Sequence, residues 1–515
     1  MVLSGHLYLR LVNKREGDRY SLRYFSAMSL KKQYLSSSVW VILGRGSSNA
    51  MMLLVFVIIA RHLSPTEFGL VSFAAIFTDL TRALALSGIP QALVRDPTWD
   101  ENRASTAFWL NFALSLILAV LLAGGVGTAL EWGYGRHMGI IVAALSITFV
   151  VEASSSVHEA RLQREFGYRA LANRLLIGTV AGGAVGVAMA LGGFGIWALV
   201  GNRIANSVVQ AALLWITVPW RPSRHYKSSE ARPLINYAIH LGSSAIIGKL
   251  NNRIPELFLG IIAGLAPVGL YRVGSRAVFM IQDAVISPLQ STTLTALSRA
   301  HEKDGLANAY TRIVKLCGLL AFPVYGGAVV IATDFTTLVF GNQWHLAGQV
   351  MSALAAAGAA SALLSFTQPA LVAVGWTRLV LLNNLATFAI AVVLTLALSH
   401  LGAVAVAWGY CARAYLSVPL SLLLLRRAAG IDIKNVSRGL IPSFMAALAM
   451  ASLLWLAHET FLEDISAIAR MGIMVAMGAV IYPILLYLLG PNLVKAMLAE
   501  FAPVGQAIMG KFSRT

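Results

Sequence analysis

An all-α integral membrane protein is predicted by three observations: apolar runs of bilayer length recur along most of the chain, charge is scarce, and basic residues gather in alternate loops. A helix needs about 20 largely apolar residues to cross roughly 30 Å of hydrocarbon. Of the 515 residues, 57% are hydrophobic and 12% charged, against roughly 25% charged in an ordinary soluble domain. The mean hydropathy is +0.72. A net charge of +18 would fit a nucleic-acid binder, but many of the cations sit in short loops beside apolar spans. That pattern is set by membrane topology, so membrane lipids are expected as surroundings and nucleic acid is not.

Marking each run long enough to cross gives about fourteen transmembrane helices. They fall near 39–60, 69–91, 105–128, 139–158, 175–192, 195–217, 237–262, 266–291, 311–335, 346–373, 376–399, 401–424, 439–461 and 467–489. Residues 1–38 form a cytoplasmic N-terminal segment, partly disordered. Residues 39–217 make an N-lobe of helices 1–6 and residues 237–424 a C-lobe of helices 7–12. Helices 13–14 over 439–489 form a terminal pair, and 490–515 a cytoplasmic tail.

Loop charge sets the orientation. The segment before the first span holds Arg10, Lys14, Arg15, Arg19, Arg23, Lys31 and Lys32. The loop after span four holds Arg161, Arg164, Arg169 and Arg174, and that after span six Arg221, Arg224, Lys227 and Arg232. Gly192-Gly193-Phe194-Gly195, Gly264-Leu265-Ala266-Pro267 and Ser399-His400-Leu401-Gly402 carry no Lys or Arg. The basic loops and both termini are therefore assigned to the cytoplasm. Residues 1–30 lack the apolar core of a signal peptide; residues 1–27 show no periodicity, and Met28-Ser29-Leu30-Lys31-Lys32 is a second candidate start. Cys317 and Cys411 lie in apolar spans far apart, with neither disulfide nor zinc spacing, so both read as core residues.

Charges inside the spans are the functional signal, because an ion facing lipid costs several kcal/mol. Lys249, Arg253 and Glu256 share one helix face in span seven. Arg272, Arg276, Phe279, Asp283 and Gln290 form a stripe at helical spacing in span eight. Earlier, Arg45 and Asn49 are four apart in span one, and Asp79 and Arg82 three apart in span two, where the latter two read as cavity lining or as a self-neutralising pair. Asn202, Asn206 and Gln210 in span six suit sugar hydroxyls or, better, helix-to-helix bonding. Mutual ion pairing, such as Arg276 with Asp283, explains charges of this kind. So does a shared central cationic cavity for an anionic substrate, and the excess of cations favours the cavity. Its substrate-binding candidates are Arg45, Asn49, Arg82, Lys249, Arg253, Arg272 and Arg276; Asp79, Glu256 and Asp283 are candidates for ion coupling or structural pairing.

An internal repeat points the same way. Phe68-Gly69-Leu70 opens span two and Val268-Gly269-Leu270 opens span eight two hundred positions later, each leading into a helix with charges on its inner face. Transporters commonly place their substrate path between such repeats.

Arg61-His62-Leu63-Ser64-Pro65-Thr66-Glu67-Phe68-Gly69 resembles the first periplasmic turn of the Wzx-type lipopolysaccharide and polysaccharide exporters, and Arg161-Leu162-Gln163-Arg164-Glu165-Phe166-Gly167-Tyr168 a cytoplasmic loop of the same proteins. Further matches are Gly192-Gly193-Phe194-Gly195-Ile196-Trp197-Ala198-Leu199-Val200, Gly269-Leu270-Tyr271, Ser287-Pro288-Leu289-Gln290 with Ala296-Leu297-Ser298-Arg299, and Phe340-Gly341-Asn342-Gln343-Trp344. One departure is Ile254-Pro255-Glu256-Leu257, where Pro255 is expected to kink or break span seven.

The resemblance, which runs from about residue 33 to about residue 425, implies a flippase of the multidrug, oligosaccharidyl-lipid and polysaccharide exporter superfamily. Such a protein moves undecaprenyl-diphosphate-linked oligosaccharides across the bacterial inner membrane for exopolysaccharide, capsule or O-antigen synthesis, beside a polymerase and co-polymerase. Arg suits the task, since its forked donors match phosphate and carboxylate oxygens. The alternatives are a lipid-linked peptidoglycan-precursor flippase, a drug or cation antiporter, and a membrane glycosyl polymerase or ligase. Short loops and the lack of a zinc, P-loop or nucleophile-elbow motif argue against an enzyme and against a cofactor. Cysteines placed at Arg164 and Arg224 are expected to resist impermeant thiol reagents applied to intact cells. Labelling there would reject the orientation.

Overall fold

The computed structural model describes residues 46–491 apart from Ser87, 97–98, 302–304 and 463–464. The expectations for residues 1–38, the C-terminal tail and Arg45 lie outside the described residues. The helices are α1 (Gly46–His62), α2 (Pro65–Leu86), α3 (Ile89–Arg95), α4 (Glu101–Leu121), α5 (Thr128–Tyr134), α6 (Arg136–Ala153), α7 (Ser156–Arg164), α8 (Tyr168–Leu191) and α9 (Trp197–Thr217). Then come α10 (Ser228–Phe258), α11 (Leu265–Val285), α12 (Ser287–His301), α13 (Leu306–Phe340), α14 (His345–Leu364), α15 (Thr367–Ala373), α16 (Thr377–Ser399), α17 (Ala403–Ala429), α18 (Ile433–Phe461) and α19 (Ala467–Leu489). Among the described residues there is no strand.

Nine described helices are long and apolar enough to cross a membrane, fewer than the fourteen expected. α1 is too short as described, and polar side chains interrupt α9, α10, α11 and α17. Helices lining a polar interior are where apolarity should fall. Two expected spans also divide: α11 stops at Val285 and α12 restarts at Ser287, while α14 gives way to α15 after Leu364. Gln290 thus leaves the α11 stripe and donates to the Ser365 carbonyl at 3.0 Å.

Pro255 does not break its helix. α10 is continuous from Ser228 to Phe258, through Pro233 and Pro255, and the irregularity comes one turn later as a wide i→i+5 turn over Leu259–Ala263. The helix ends after this turn at Gly264, whose φ is 91°.

The start of α2 shows why its sequence folds as it does. Ser64 caps the helix: its backbone N–H and hydroxyl donate to Glu67 Oε2 at 2.9 and 2.7 Å, and Glu67 N–H donates back to Ser64 Oγ at 3.3 Å. This is a capping box with Pro at the first helical position, where its missing N–H costs nothing. The same end of the molecule is latched to α13 and α14. Arg61 donates to the last carbonyls of α13, Val339 at 2.7 Å and Leu338 at 2.5 Å, and Trp344 Nε1 donates to the Ala60 carbonyl at 2.9 Å. A guanidinium suits a helix C-terminus, whose open carbonyls carry partial negative charge. Phe56, Phe68, Phe340 and Trp344 interlock edge to face beneath it, with ring centroids 5.3–5.6 Å apart.

At that end α2 crosses α11 backbone to backbone. A Cβ on Gly69 would lie 1.8 Å from the Leu265 carbonyl oxygen, and one on Gly269 would lie 2.1 Å from the Pro65 carbonyl oxygen. The contact is reciprocal at a separation of two hundred residues, so the repeat read from the sequence coincides with a local two-fold relation between α2 and α11. Elsewhere α2 packs on α4, α6 and α10, and α10 lies against α2, α3, α4 and α16. Gly178, Gly182 and Gly186 of α8 seat Gln210, Asn206 and Asn202 of α9, while Gln210 Nε2 donates to Asn206 Oδ1 within α9 at 2.6 Å. Cys317 and Cys411 are buried and free. Gly69→Ala and Gly269→Ala should each destabilise the protein by about 1–3 kcal/mol through overpacking. Thermal unfolding of purified protein measures this, and an unchanged midpoint for both would refute the close crossing.

Candidate functional site

Charges converge where the middle of α2 meets the last turns of α10 and the first half of α11. Asp79 of α2 accepts from Arg253 Nη2 of α10 at 2.8 Å and from Arg203 Nη1 of α9 at 3.4 Å. Arg253 Nη1 also donates to Glu256 Oε2 at 2.8 Å, and Arg272 Nη1 of α11 to Glu256 Oε1 at 2.9 Å. Glu256 is 2% exposed. Three guanidinium groups and two carboxylates thus form one chain across four helices, with Arg253 shared between both acids. A planar fork makes this sharing feasible, and an ammonium would not replace it.

The expected Asp79–Arg82 pair does not form. One turn of helix separates the two, and Arg82 turns to Glu152 of α6, Nε to Oε2 at 2.6 Å, with nearly half its side chain exposed. Glu152 also accepts from Ser207 Oγ at 3.0 Å. Lys249, one turn before Arg253, is exposed and, among the described residues, has no carboxylate within 4.0 Å.

Arg276 departs from its neighbours. Among the described residues no ion pair joins it to Asp283, which is exposed and faces Ser287 Oγ at 3.5 Å. Instead Nη2 of Arg276 lies 3.0 Å from Met52 Sδ and its guanidinium carbon 5.9 Å from the Phe56 ring centre, both on α1, while Nε is buried without a partner. Asn49, exposed on α1, is three residues before Met52 and on the same stripe. The α1–α11 seam therefore holds a guanidinium with no carboxylate within 4.0 Å among the described residues.

The structure joins Asp79, Arg253, Glu256 and Arg272 in one network, places Arg82 and Lys249 a turn away, sets Arg276 at the α1–α11 seam, leaves Asn49 exposed on α1 and separates Asp283 from the other acids. Arg203 and Glu152 were missed. Each is an ionisable residue inside an expected span, Glu152 in 139–158 and Arg203 in 195–217, which is the signal that marked Lys249 and Glu256. Among the described residues no cluster of His, Cys, Asp and Glu has the arrangement of a metal site.

Solved structures of membrane transporters share this multi-helix fold. The lipid II flippase MurJ in an inward closed conformation superimposes with a TM-score of 0.71 at 11% identity, covering 89% of this chain and all of that one. An inward-facing multidrug resistance MATE family transporter of the MOP superfamily gives 0.57 at 14% identity, over 74% and 96%. The chain belongs to the polysaccharide biosynthesis protein family, whose model matches residues 58–348. Relatives include the succinoglycan biosynthesis transport protein ExoT of Rhizobium meliloti, 23% identical over 61% of this chain and 64% of its own length. The lipopolysaccharide biosynthesis protein WzxC of Escherichia coli is 22% identical over 64% and 68%, and the teichuronic acid biosynthesis protein TuaB of Bacillus subtilis 21% identical over 89% and 96%. The match to ExoT thus spans less than two thirds of that protein.

Removing one member of a buried ion pair strands its partner, at a cost of about 3–5 kcal/mol. Glu256→Ala should therefore lower the amount of folded protein in the membrane far more than Asp283→Ala. Equal abundance of the two variants would show that Glu256 does not hold the network together.

Proposed function

We propose that this protein carries undecaprenyl-diphosphate-linked oligosaccharides from the cytoplasmic to the periplasmic leaflet of the bacterial inner membrane, supplying exopolysaccharide, capsule or O-antigen synthesis. A polysaccharide polymerase and co-polymerase would then act on the product. The observation that carries the reading is Arg276, a guanidinium at the α1–α11 seam facing Met52 and Phe56 with no carboxylate within 4.0 Å among the described residues. Charge of this kind in a bilayer calls for an anion. A diphosphate supplies one while its isoprenoid tail stays in lipid. Arg253 and Arg272 are already engaged by Asp79 and Glu256, so they set the positive field of the interior and yield their donors only in exchange for those acids.

The family, with relatives named for succinoglycan, lipopolysaccharide and teichuronic acid synthesis, supports a polysaccharide substrate over a drug. The likeness to MurJ is one of fold, which keeps the peptidoglycan precursor as the competing substrate. We assign no catalysis to the chain. Asp79 and Glu256 are the acids through which a proton or sodium ion would act, since neutralising either one releases guanidinium donors.

Loss of the gene should leave lipid-linked repeat units on the cytoplasmic face and stop polymer export with the cell wall intact; lethal failure of wall synthesis would favour the peptidoglycan reading. Arg276→Ala should cut transport about ten- to hundred-fold at unchanged membrane abundance, the worth of a charge-assisted contact, and Arg276→Lys should restore part of it. Full transport by Arg276→Ala would remove the anion-binding role.

A further inference from the structure

One turn from the ion network a polar cavity of about 330 Å³ opens between α2, α3, α6, α7, α8, α9 and α10. Two acids in its wall are held in fixed orientations. Glu152 accepts from Arg82 and Ser207, and Glu159 accepts from Arg174 Nη1 at 2.8 Å and Gln163 Nε2 at 3.2 Å. Each of these four carboxylate oxygens takes one such bond and has a second lone pair to offer. Gln91 and Lys249 add donors to the same space. No aromatic side chain is among the lining residues.

This pattern of donors and acceptors selects a ligand class. A bare anion would meet two carboxylates, and a cation would meet Arg82, Arg174 and Lys249. A flat apolar drug would find no ring to stack on. Hydroxyl groups both donate and accept, and a polyol uses all of these groups together. The volume lies at the lower edge of ligand pockets, roughly 300–1,000 Å³, which suits one or two sugar rings and excludes a whole repeat unit. Arg82 follows Asp79 by three residues and Lys249 precedes Arg253 by four, so the cavity adjoins the ion network directly.

We infer that this cavity is a glycan subsite that receives the first sugar of the lipid-linked unit, the one bonded to the diphosphate, while the diphosphate rests on Arg82 and Lys249 of the cavity wall before it passes to Arg276. The inference rests on the flippase reading above. It assigns a binding role to Gln91, Glu152, Glu159 and Gln163, and makes this face of α3, α6 and α7 a determinant of which first sugar is accepted.

The test uses the full-length purified protein and measures binding of undecaprenyl diphosphate with no sugar and of the same lipid bearing glucose, galactose or N-acetylglucosamine. The wild-type protein should prefer at least one glycosylated lipid. Gln91→Leu and Gln163→Leu should each reduce that preference about three- to ten-fold, the worth of one lost hydrogen bond, with affinity for the bare lipid unchanged. Glu152→Gln, which keeps the side-chain shape, provides the same comparison should either leucine variant fail to fold. Equal wild-type affinity for all four lipids, or an equal loss for bare and glycosylated lipid in the variants, would overturn the subsite and leave the flippase reading standing. Binding of none of the four lipids would refute the flippase reading itself, and the subsite with it.

Discussion

The pairing of charges inside an apolar bundle is the constraint on which this structure turns. An isolated ion at the centre of a bilayer costs about 2.5–3.5 kcal/mol even on lenient scales. Asp79, Arg203, Arg253, Glu256 and Arg272 escape that cost by serving one another across α2, α9, α10 and α11. The positions and rotations of these four helices are thereby tied together, since turning any one of them would strand a charge on another. Mutual pairing does not make the site neutral, because guanidinium groups outnumber carboxylates and Arg276 stands apart. Mutual pairing thus accounts for Asp79, Arg203, Arg253, Glu256 and Arg272, and anion binding is what we propose for Arg276.

The sequence showed where the apolar runs lie and which of them carry charge, because bilayer thickness and the cost of buried ions act on single helices. It did not show partners. Arg253 and Asp79 are 174 residues apart, and nothing in a helical stripe tells how far its helix is rotated toward another. For that reason Arg82 meets Glu152 and not Asp79, and Arg276 meets Met52 and not Asp283. Local rules erred where a helix had an alternative to breaking. α10 runs on through Pro255 as far as Phe258, and the stripe ending in Gln290 was cut at Ile286 by a turn that its apolar neighbours concealed.

Three of the segments that carry the family resemblance, 61–69, 192–200 and 340–344, hold the frame together. Ser64, Pro65 and Glu67 start α2, Arg61 and Trp344 fasten α1 to α13 and α14, and Gly193 and Gly195 take positive φ angles of 75° and 53° in the turn before α9. None of these segments contains Asp79, Arg253, Glu256, Arg272 or Arg276. Membership of the family therefore explains much of how the bundle is built, while the ion network and Arg276 lie between the recognisable turns.

The crossing of Gly69 and Gly269 has a mechanical meaning as well as a steric one. With no side chain on either surface, the two helices touch at a bare point near their first turns, and such a point is a fulcrum. From Gly69 to the end of α2 at Leu86 the helix runs about 25 Å at 1.5 Å per residue. A rotation of about ten degrees around the fulcrum would sweep the far end of that lever through about 4 Å. Asp79, a little over halfway along, would travel roughly 2–3 Å, enough to stretch its bonds to Arg203 and Arg253 beyond hydrogen-bonding range. Opening at one end and breaking the ion network at the middle are, in this geometry, the same movement.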